Sequence, residues 1–399
     1  MRPDMPALNQ TRIINLWATD GYISMPDGNS IYIWGFTGKE GAPAQLPGPH
    51  LVVNQGETVV VNLTNTLREN VSIRFPGVEK VMVVRPDGSE SPARPQYEGG
   101  KLVSLVDSVP PGESIAYRFT ADHPGTYLYE SGTNPPRQVP AGLYGAMVVR
   151  PADYHPVTNK TAYGSGTGTE FNREYLLIVG EIDPALHYAV EMGRPYNPRD
   201  RKPRYWTING RAAMDTMLPD RAGYLPAQPY GCMIMAEPGE RVLLRYAGAG
   251  VDNHPLHPHG NHTRVVAVDG RLLRNGPADL SFDRFTVLAG PGQTYDLIFT
   301  WVGLGFTPEN PIPTVMPNLR NLAVGHFGWT MWSGSPYLGK KGDIPVGTTS
   351  FNQVGEYYFM LHSHEEPQIT NWGQFPGGMM TMIAIYPEGT LGPDVGILE

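Results

Sequence analysis

Histidine is concentrated in two short stretches of this 399-residue chain. HPLHPHGNH carries His254, His257, His259 and His262, and LHSH carries His362 and His364. In an extended strand, residues i and i+2 project from the same face. His257 therefore projects with His259, and His362 with His364. If the two strands are neighbours, four imidazoles converge on one point. Imidazole suits copper, zinc, iron or nickel, and a roughly planar set of nitrogens favours Cu(II). A single H-x-H arises by chance among surface histidines. Two in one half of a chain, one of them inside HPxHxHG, is a far more specific signal. The bland alternative is a pair of hydrogen-bonded clusters with no metal.

Sulfur is the other soft donor. The single cysteine, Cys232, excludes internal disulfides and any Cys-based zinc site. Together with Met233 and Met235 it could make a soft Cu(I) cluster, although a buried core cysteine is the default. Met379–Met382 (MMTM) alternates along a strand, so at most one of its faces reaches a metal, and core packing is the simpler expectation.

The elements that must position these residues are strands. Gly 47 and Pro 40 together make about 22% of the chain, against roughly 12% in typical globular proteins. Hydrophobic residues still reach 40%, with 21 Tyr, 12 Phe and 7 Trp, so the excess marks tight turns and not disorder. Runs of Val, Ile, Tyr and Thr recur between Gly/Pro clusters, as in Thr58–Leu63, Val242–Tyr246 and Met382–Ile385. This spacing predicts an all-β sandwich or barrel. With 30 basic and 38 acidic residues the net charge is −8, and no basic tract supports a nucleic-acid partner. No apolar stretch approaches eighteen residues, so no membrane span is expected. The N-terminal stretch lacks the layout of a signal peptide, which reads as a cytosolic protein or a mature form.

The chain repeats itself in order. LVVNQGETVVVNLTN from Leu51 matches MIMAEPGERVLLRYAG from Met233, and VPPGESIAYRFT from Val109 matches LAGPGQTYDLIFT from Leu288. HPGTYLYESG from His123 matches VGEYYFMLHSH from Val354, and GLYGAMVVRP from Gly142 matches GGMMTMIAIYP from Gly377. Four pairs in one order imply a duplicated β-domain. The boundaries fall at 1–150 and 172–390, with a Pro/Gly/Ser/Thr-rich linker at 151–171. An insertion at about 302–353, carrying Met316, His326, Trp329, Met331 and Trp332, reads either as a functional element such as a lid or as a surface excursion pinned by its aromatics.

HPLHPHG, followed about a hundred residues later by HSH and GGMM, resembles the paired copper motifs of the multicopper oxidases. PGPHLVVNQGETVVVNLTN, PGTYLYESG, GLYGAMVVRP and LAGPGQTYDLIFT extend the resemblance over nearly the whole chain. It implies two cupredoxin-like Greek-key β-sandwich domains, like the two-domain laccase-like and nitrite-reductase-like branches. By resemblance, His257, His259, His362 and His364 are ligands of the oxygen-reducing cluster, and His254 is a ligand of the electron-accepting copper. The resemblance further implies a homotrimer, a protein redox partner and a periplasmic or extracellular location.

The departures alter the expected chemistry. The family's first H-x-H-G is here SIRFPG, with Arg74 and Pro76 at the ligand positions, and its second H-x-H is ESG, with Glu130 and Gly132. Glu130 could serve as a carboxylate ligand, although a solvated loop carboxylate is the simpler reading, and Arg74 can neutralise it as an ion pair if both line the old cavity. In the fourth motif Ser363 replaces the cysteine, the next histidine falls at Gln368, and an insertion displaces the axial methionine to Met379 or Met380. A blue copper site needs the thiolate, whose short soft bond carries the electron, and a serine hydroxyl cannot replace it. The expectation is a metalloprotein with a single copper in its histidine pairs and no blue site, using that copper for redox chemistry or for storage and delivery. If it is an enzyme, it is a copper-dependent oxidoreductase that binds substrate directly at the metal. The alternative is a non-catalytic cupredoxin scaffold that assembles with other surface or redox proteins.

Overall fold

The computed structural model describes residues 10–302, 357–386, 388–394 and 396–397. The insertion expected at 302–353, with His326 and its aromatics, lies outside the described residues apart from Val302. Among those residues, no helix is long and apolar enough to cross a membrane.

The first half supplies β1 (Thr11–Ser24), β2 (Ser30–Thr37), β3 (Leu51–Asn54), β4 (Thr58–Asn65), β5 (Met82–Val84), β6 (Glu90–Pro92), β7 (Ser114–Thr120), β8 (Gly125–Glu130) and β9 (Tyr144–Arg150). One sheet runs β2-β1-β4-β7-β5-β6 and the facing sheet β8-β9-β3. Every second residue of β4 is buried, the pattern of a strand with one covered face. Val59, Val61, Tyr117 and Phe119 meet Leu51, Tyr127, Tyr129 and Met147 from the opposing sheet in a closed core.

The second half supplies β10 (Arg173–Ile182), β11 (Tyr205–Ile208), β12 (Ile234–Ala236), β13 (Arg241–Gly248), β14 (His254–Pro258), β15 (Thr263–Val268), β16 (Arg271–Leu272), β17 (Phe282–Arg284), β18 (Val287–Ala289), β19 (Thr294–Thr300), β20 (Tyr357–Ser363) and β21 (Met380–Ile385). Its sheets run β11-β10-β13-β19-β15-β16, with β17 beside β15, and β12-β21-β20-β14-β18.

The duplicated phrases take matching places. β1 and β4 pair in parallel, as do β10 and β13, and β3 lies parallel to β9 as β12 does to β21. The antiparallel pair β8–β9 has its counterpart in β20–β21. The fold is therefore all-β and cupredoxin-like, with paired sheets in each half.

β9 is buried along its whole length because both its faces are covered. Met147 and Val149 face the first core, while Ala146 and Val148 pack on Leu176, Ile178, Tyr205 and Ala247 of the second half. Residues 151–171 do not hang free. Ala162, Tyr163 and Phe171 pack on Leu243, Val266 and Ile298. A buried polar chain also crosses between the halves. Arg150 and Arg245 both contact Glu174, and Arg245, Thr126 and Tyr163 contact Asp296.

Candidate metal centre

The histidine strands are direct neighbours. β14 pairs antiparallel with β20 so that Leu256 faces Ser363, His257 faces His362 and Pro258 faces Leu361. The ladder continues past Pro258 through the His259 N–H, which donates to the Met360 carbonyl at 2.8 Å. Gly260 then turns the chain at φ +89°, where a Cβ would lie 3.0 Å from the Phe359 ring. Glycine alone fits that turn comfortably.

Alternation divides the motif residues between two faces. Leu256, Phe359, Leu361 and Ile383 point into the sandwich core. His257, His259, His362 and His364 lie on the opposite, outer face. One ring nitrogen from each of His257, His259 and His362 lies within 4.8 Å of the others. The Nε2 atoms of His259 and His362 are 3.1 Å apart. His364 stands at the rim, its ring centroid 4.9 Å from that of His257 and its side chain 52% exposed, with Nδ1 3.5 Å from Glu366.

The rings are held from behind. The Nδ1–H of His362 donates to the Ser363 carbonyl at 2.7 Å. Nδ1 of His257 lies 3.1 Å from the Phe285 carbonyl and 2.9 Å from the Thr286 hydroxyl. A carbonyl oxygen can only accept, so in both rings the proton sits on Nδ1 and the Nε2 lone pair faces the cluster. Burial, together with neighbouring imidazoles, makes the rings poor bases. His257 and His362 are shifted below the usual histidine range, and burial followed by His362 and His257 takes His259 down to about 4.

His254 is not part of this group. Three residues before His257, it faces inward and is fully buried. Gln368 donates through Nε2 to the Asn253 carbonyl at 3.0 Å and to Glu365 at 2.8 Å, which fixes its Oε1 as an acceptor. That oxygen accepts from the Ser363 hydroxyl at 2.7 Å and from Nδ1 of His254 at 2.9 Å. Nε2 of His254 lies 3.3 Å from Glu181, which also contacts Arg201. Ser363, Gln368 and His254 thus satisfy one another by hydrogen bonding. Glu181, far away in sequence, carried no local signal that it would join them.

In the first half, Arg74 and Glu130 form a backbone bridge and a side-chain ion pair. The structure differs from the sequence expectation of a solvated loop carboxylate at Glu130. Glu130 is instead the last residue of β8, 3% exposed, because the strand carries it under Arg74. Burial raises its pKa and the Arg74 guanidinium opposes the rise. At Gly132 a Cβ would come within 3.0 Å of both Ser72 Oγ and Val106 Cγ2, so an imidazole has no room there. Ser72, Ser104 and Thr133 close the region with mutual hydrogen bonds.

Sulfur is placed as core. Cys232 is fully buried, donates weakly to the Ile208 carbonyl at 3.1 Å and is pushed up to about 12 by burial, so it is a thiol. Met379 lies in the sandwich core. Met217, Met380 and Met382 are buried on the outer face of the histidine sheet, beside the half-buried Met214, Met233, Met235 and Met360.

A family model described as "Multicopper oxidase" matches residues 23–153. Laccase-3 of Oryza sativa subsp. japonica is 29% identical over 271 residues, covering 64% of this chain and 39% of that protein. The L-ascorbate oxidase of Cucurbita maxima is 24% identical over 378 residues, covering 90% of this chain and 54% of that protein. The chain thus spans about two fifths to a half of the length of these curated relatives. Among solved structures, the blue copper oxidase from Nitrosomonas europaea superposes with a TM-score of 0.61 at 20% identity, covering 95% of this chain and 86% of that one. The copper nitrite reductase from Nitrosomonas europaea gives 0.54 at 20% identity, covering 98% and 100%. The chain is a multicopper oxidase-like protein with a cupredoxin-like fold.

Proposed function

We propose that the protein holds a single copper ion between His257, His259 and His362, with His364 as a fourth imidazole at the rim, and that it has no blue copper site. The convergence of three ring nitrogens within 4.8 Å carries this reading. Two nitrogens bound at about 2.0–2.1 Å to one ion, at an angle of roughly 100°, lie about 3.1 Å apart. That is the spacing of the His259 and His362 Nε2 atoms. The donor set is all imidazole, which suits copper. The ring orientations and lowered basicity support the same reading, because a ligand nitrogen must be unprotonated.

The metal, when bound, would supply one-electron redox chemistry at an ion open to a directly bound substrate. His362 and His257 keep their Nε2 lone pairs aimed by donating from Nδ1. The exposed His364 leaves the solvent side passable. His254 is proposed to be a structural residue and not a ligand, since Gln368 and Glu181 engage both its nitrogens. A copper-dependent oxidoreductase activity, an exported location, a homotrimer and a protein redox partner belong to this proposal through the family likeness.

Metal analysis of copper-reconstituted protein tests it. About one copper per chain, a paramagnetic signal with nitrogen couplings and no intense blue colour are expected. A metal-free protein after reconstitution, or one with an intense thiolate band, overturns it.

A further inference from the structure

The loop that joins the helix Pro184–Glu191 to β11 concentrates positive charge. It runs RPYNPRDRKPR from Arg194 to Arg204, five cations with Asp200 as the one carboxylate, in a chain whose net charge is −8. The loop is pinned at several points. Pro195, Pro198 and Pro203 fix the backbone φ at three positions. Asp183, 4% exposed, caps the helix by accepting from the Ala185 N–H at 2.9 Å. Its second oxygen accepts from the Lys202 N–H at 2.9 Å and from the Tyr196 hydroxyl. Arg201 turns inward to Asp252 and Glu181.

The other four cations stay outside. Arg194, Arg199, Lys202 and Arg204 are exposed, and among the described residues none of them has a carboxylate within ion-pair distance. The Arg194 guanidinium lies 5.8 Å from the ring centroid of Tyr188, and that of Arg204 lies 5.4 Å from the ring of Trp372. Both rings are 53% exposed. Four like charges on one short loop repel one another, and the fold supplies no carboxylate to offset them. Arginine, tyrosine and tryptophan are the residues enriched in the energetic centres of protein interfaces. A guanidinium stacked on a ring keeps its edge N–H groups for a carboxylate, while the ring adds apolar area. A polyanion held by charge alone would not need those rings.

We propose that the loop Arg194–Arg204, with Tyr188 and Trp372 beside it, is a docking surface for a partner protein that presents a carboxylate-rich face. The four free cations supply the counter-charge, and the two ring-stacked arginines supply the anchors. The loop arrives already ordered, so docking costs little backbone entropy. None of these residues belongs to the imidazole cluster. The docking surface therefore stands apart from the copper reading, and metal-free and copper-loaded protein should bind the partner alike.

The test is fluorescence anisotropy of labelled poly-L-glutamate titrated with the full chain. Binding is expected at low salt and should weaken at about 0.15 M, where the screening length is about 8 Å. An Arg194→Ala/Arg199→Ala/Lys202→Ala/Arg204→Ala variant should bind at least tenfold more weakly. A control that removes four exposed cations elsewhere, Lys39→Ala/Arg85→Ala/Arg94→Ala/Lys101→Ala, should bind like the wild type. No binding of polyglutamate at low salt, an unchanged loop variant, or an equal loss in the control overturns the proposal. Tighter binding of polygalacturonate, a carboxylate polymer without peptide, overturns the protein reading. A second measurement needs no variant: carbodiimide should cross-link bound polyglutamate to Lys202 in mass spectra, and cross-links that spare Lys202 while marking lysines elsewhere overturn the site.

Discussion

Arg74 and Glu130 occupy, in the first half, the cross-strand position that His257 and His362 occupy in the second. Both pairs are antiparallel neighbours, and the segments of Arg74 and His257 each run into a glycine at positive φ, Gly77 and Gly260. In one half the position holds converging imidazoles, and in the other an ion pair with Glu130 buried and Arg74 partly exposed. The two halves share this cross-strand pairing with different side chains at it.

That ion pair should be measurable as a coupling. Arg74→Ala leaves a buried carboxylate alone and should cost about 1–3 kcal/mol in urea unfolding. Arg74→Ala/Glu130→Ala should cost less than the sum of the single changes. Copper content should match that of the wild type in all three variants, because the pair is not among the converging imidazoles.

The inner and outer faces of β14 should separate in function. His362→Ala should lower Cu(II) affinity at least tenfold, about 1.4 kcal/mol or more, by isothermal titration. His254→Ala should leave copper stoichiometry unchanged and instead destabilise the fold by about 1–3 kcal/mol, since Gln368 and Glu181 lose a buried partner. Loss of copper from the His254 variant with its stability intact would reverse the two assignments.

Ser363, Gln368 and His254 already meet through hydrogen bonds, so a Ser363→Cys/Gln368→His variant places a thiol and two imidazoles together. After Cu(II) loading, this variant should gain an intense visible thiolate-to-copper band that the wild type lacks. Ser363→Cys alone, which retains the Gln368 amide, should give a weaker band or none.

Acid should loosen the joint between the halves. Burial opposes ionisation of Glu174, but Arg150 and Arg245 outweigh it and bring the carboxyl down to about 2. Because the folded pKa is lowered, this stabilisation is present above the ordinary carboxylate range and is lost as the pH falls from about 4.5 toward 2. Thermal unfolding followed over that window should show falling stability. Glu174→Gln should flatten the dependence and cost about 3–5 kcal/mol at neutral pH by taking the carboxylate from the buried Arg150 guanidinium and leaving Arg245 with Asp296 alone.

Much of this architecture was written locally. The apolar runs Thr58–Leu63 and Val242–Tyr246, bounded by Gly/Pro clusters, show as strands, and four repeated phrases imply two related halves. Alternation also places each H-x-H pair on one face, and it sets His254, an odd number of residues from His257, on the other. That a serine and no cysteine stands between His362 and His364 can be read from the chain alone.

Register and depth cannot be read in this way. That His257 stands opposite His362, about a hundred residues away, depends on which strands the whole sandwich brings together. The partners of His254 came from Glu181 on a different sheet, and Glu130 was buried because its strand runs beneath Arg74. Methionines scattered over residues 214–382 became one surface only when β12, β21 and β20 aligned. Side-chain direction follows from backbone geometry within a few residues, so the sequence determines it. Cross-strand pairing is decided by the packing of the complete core, so only the tertiary structure settles it.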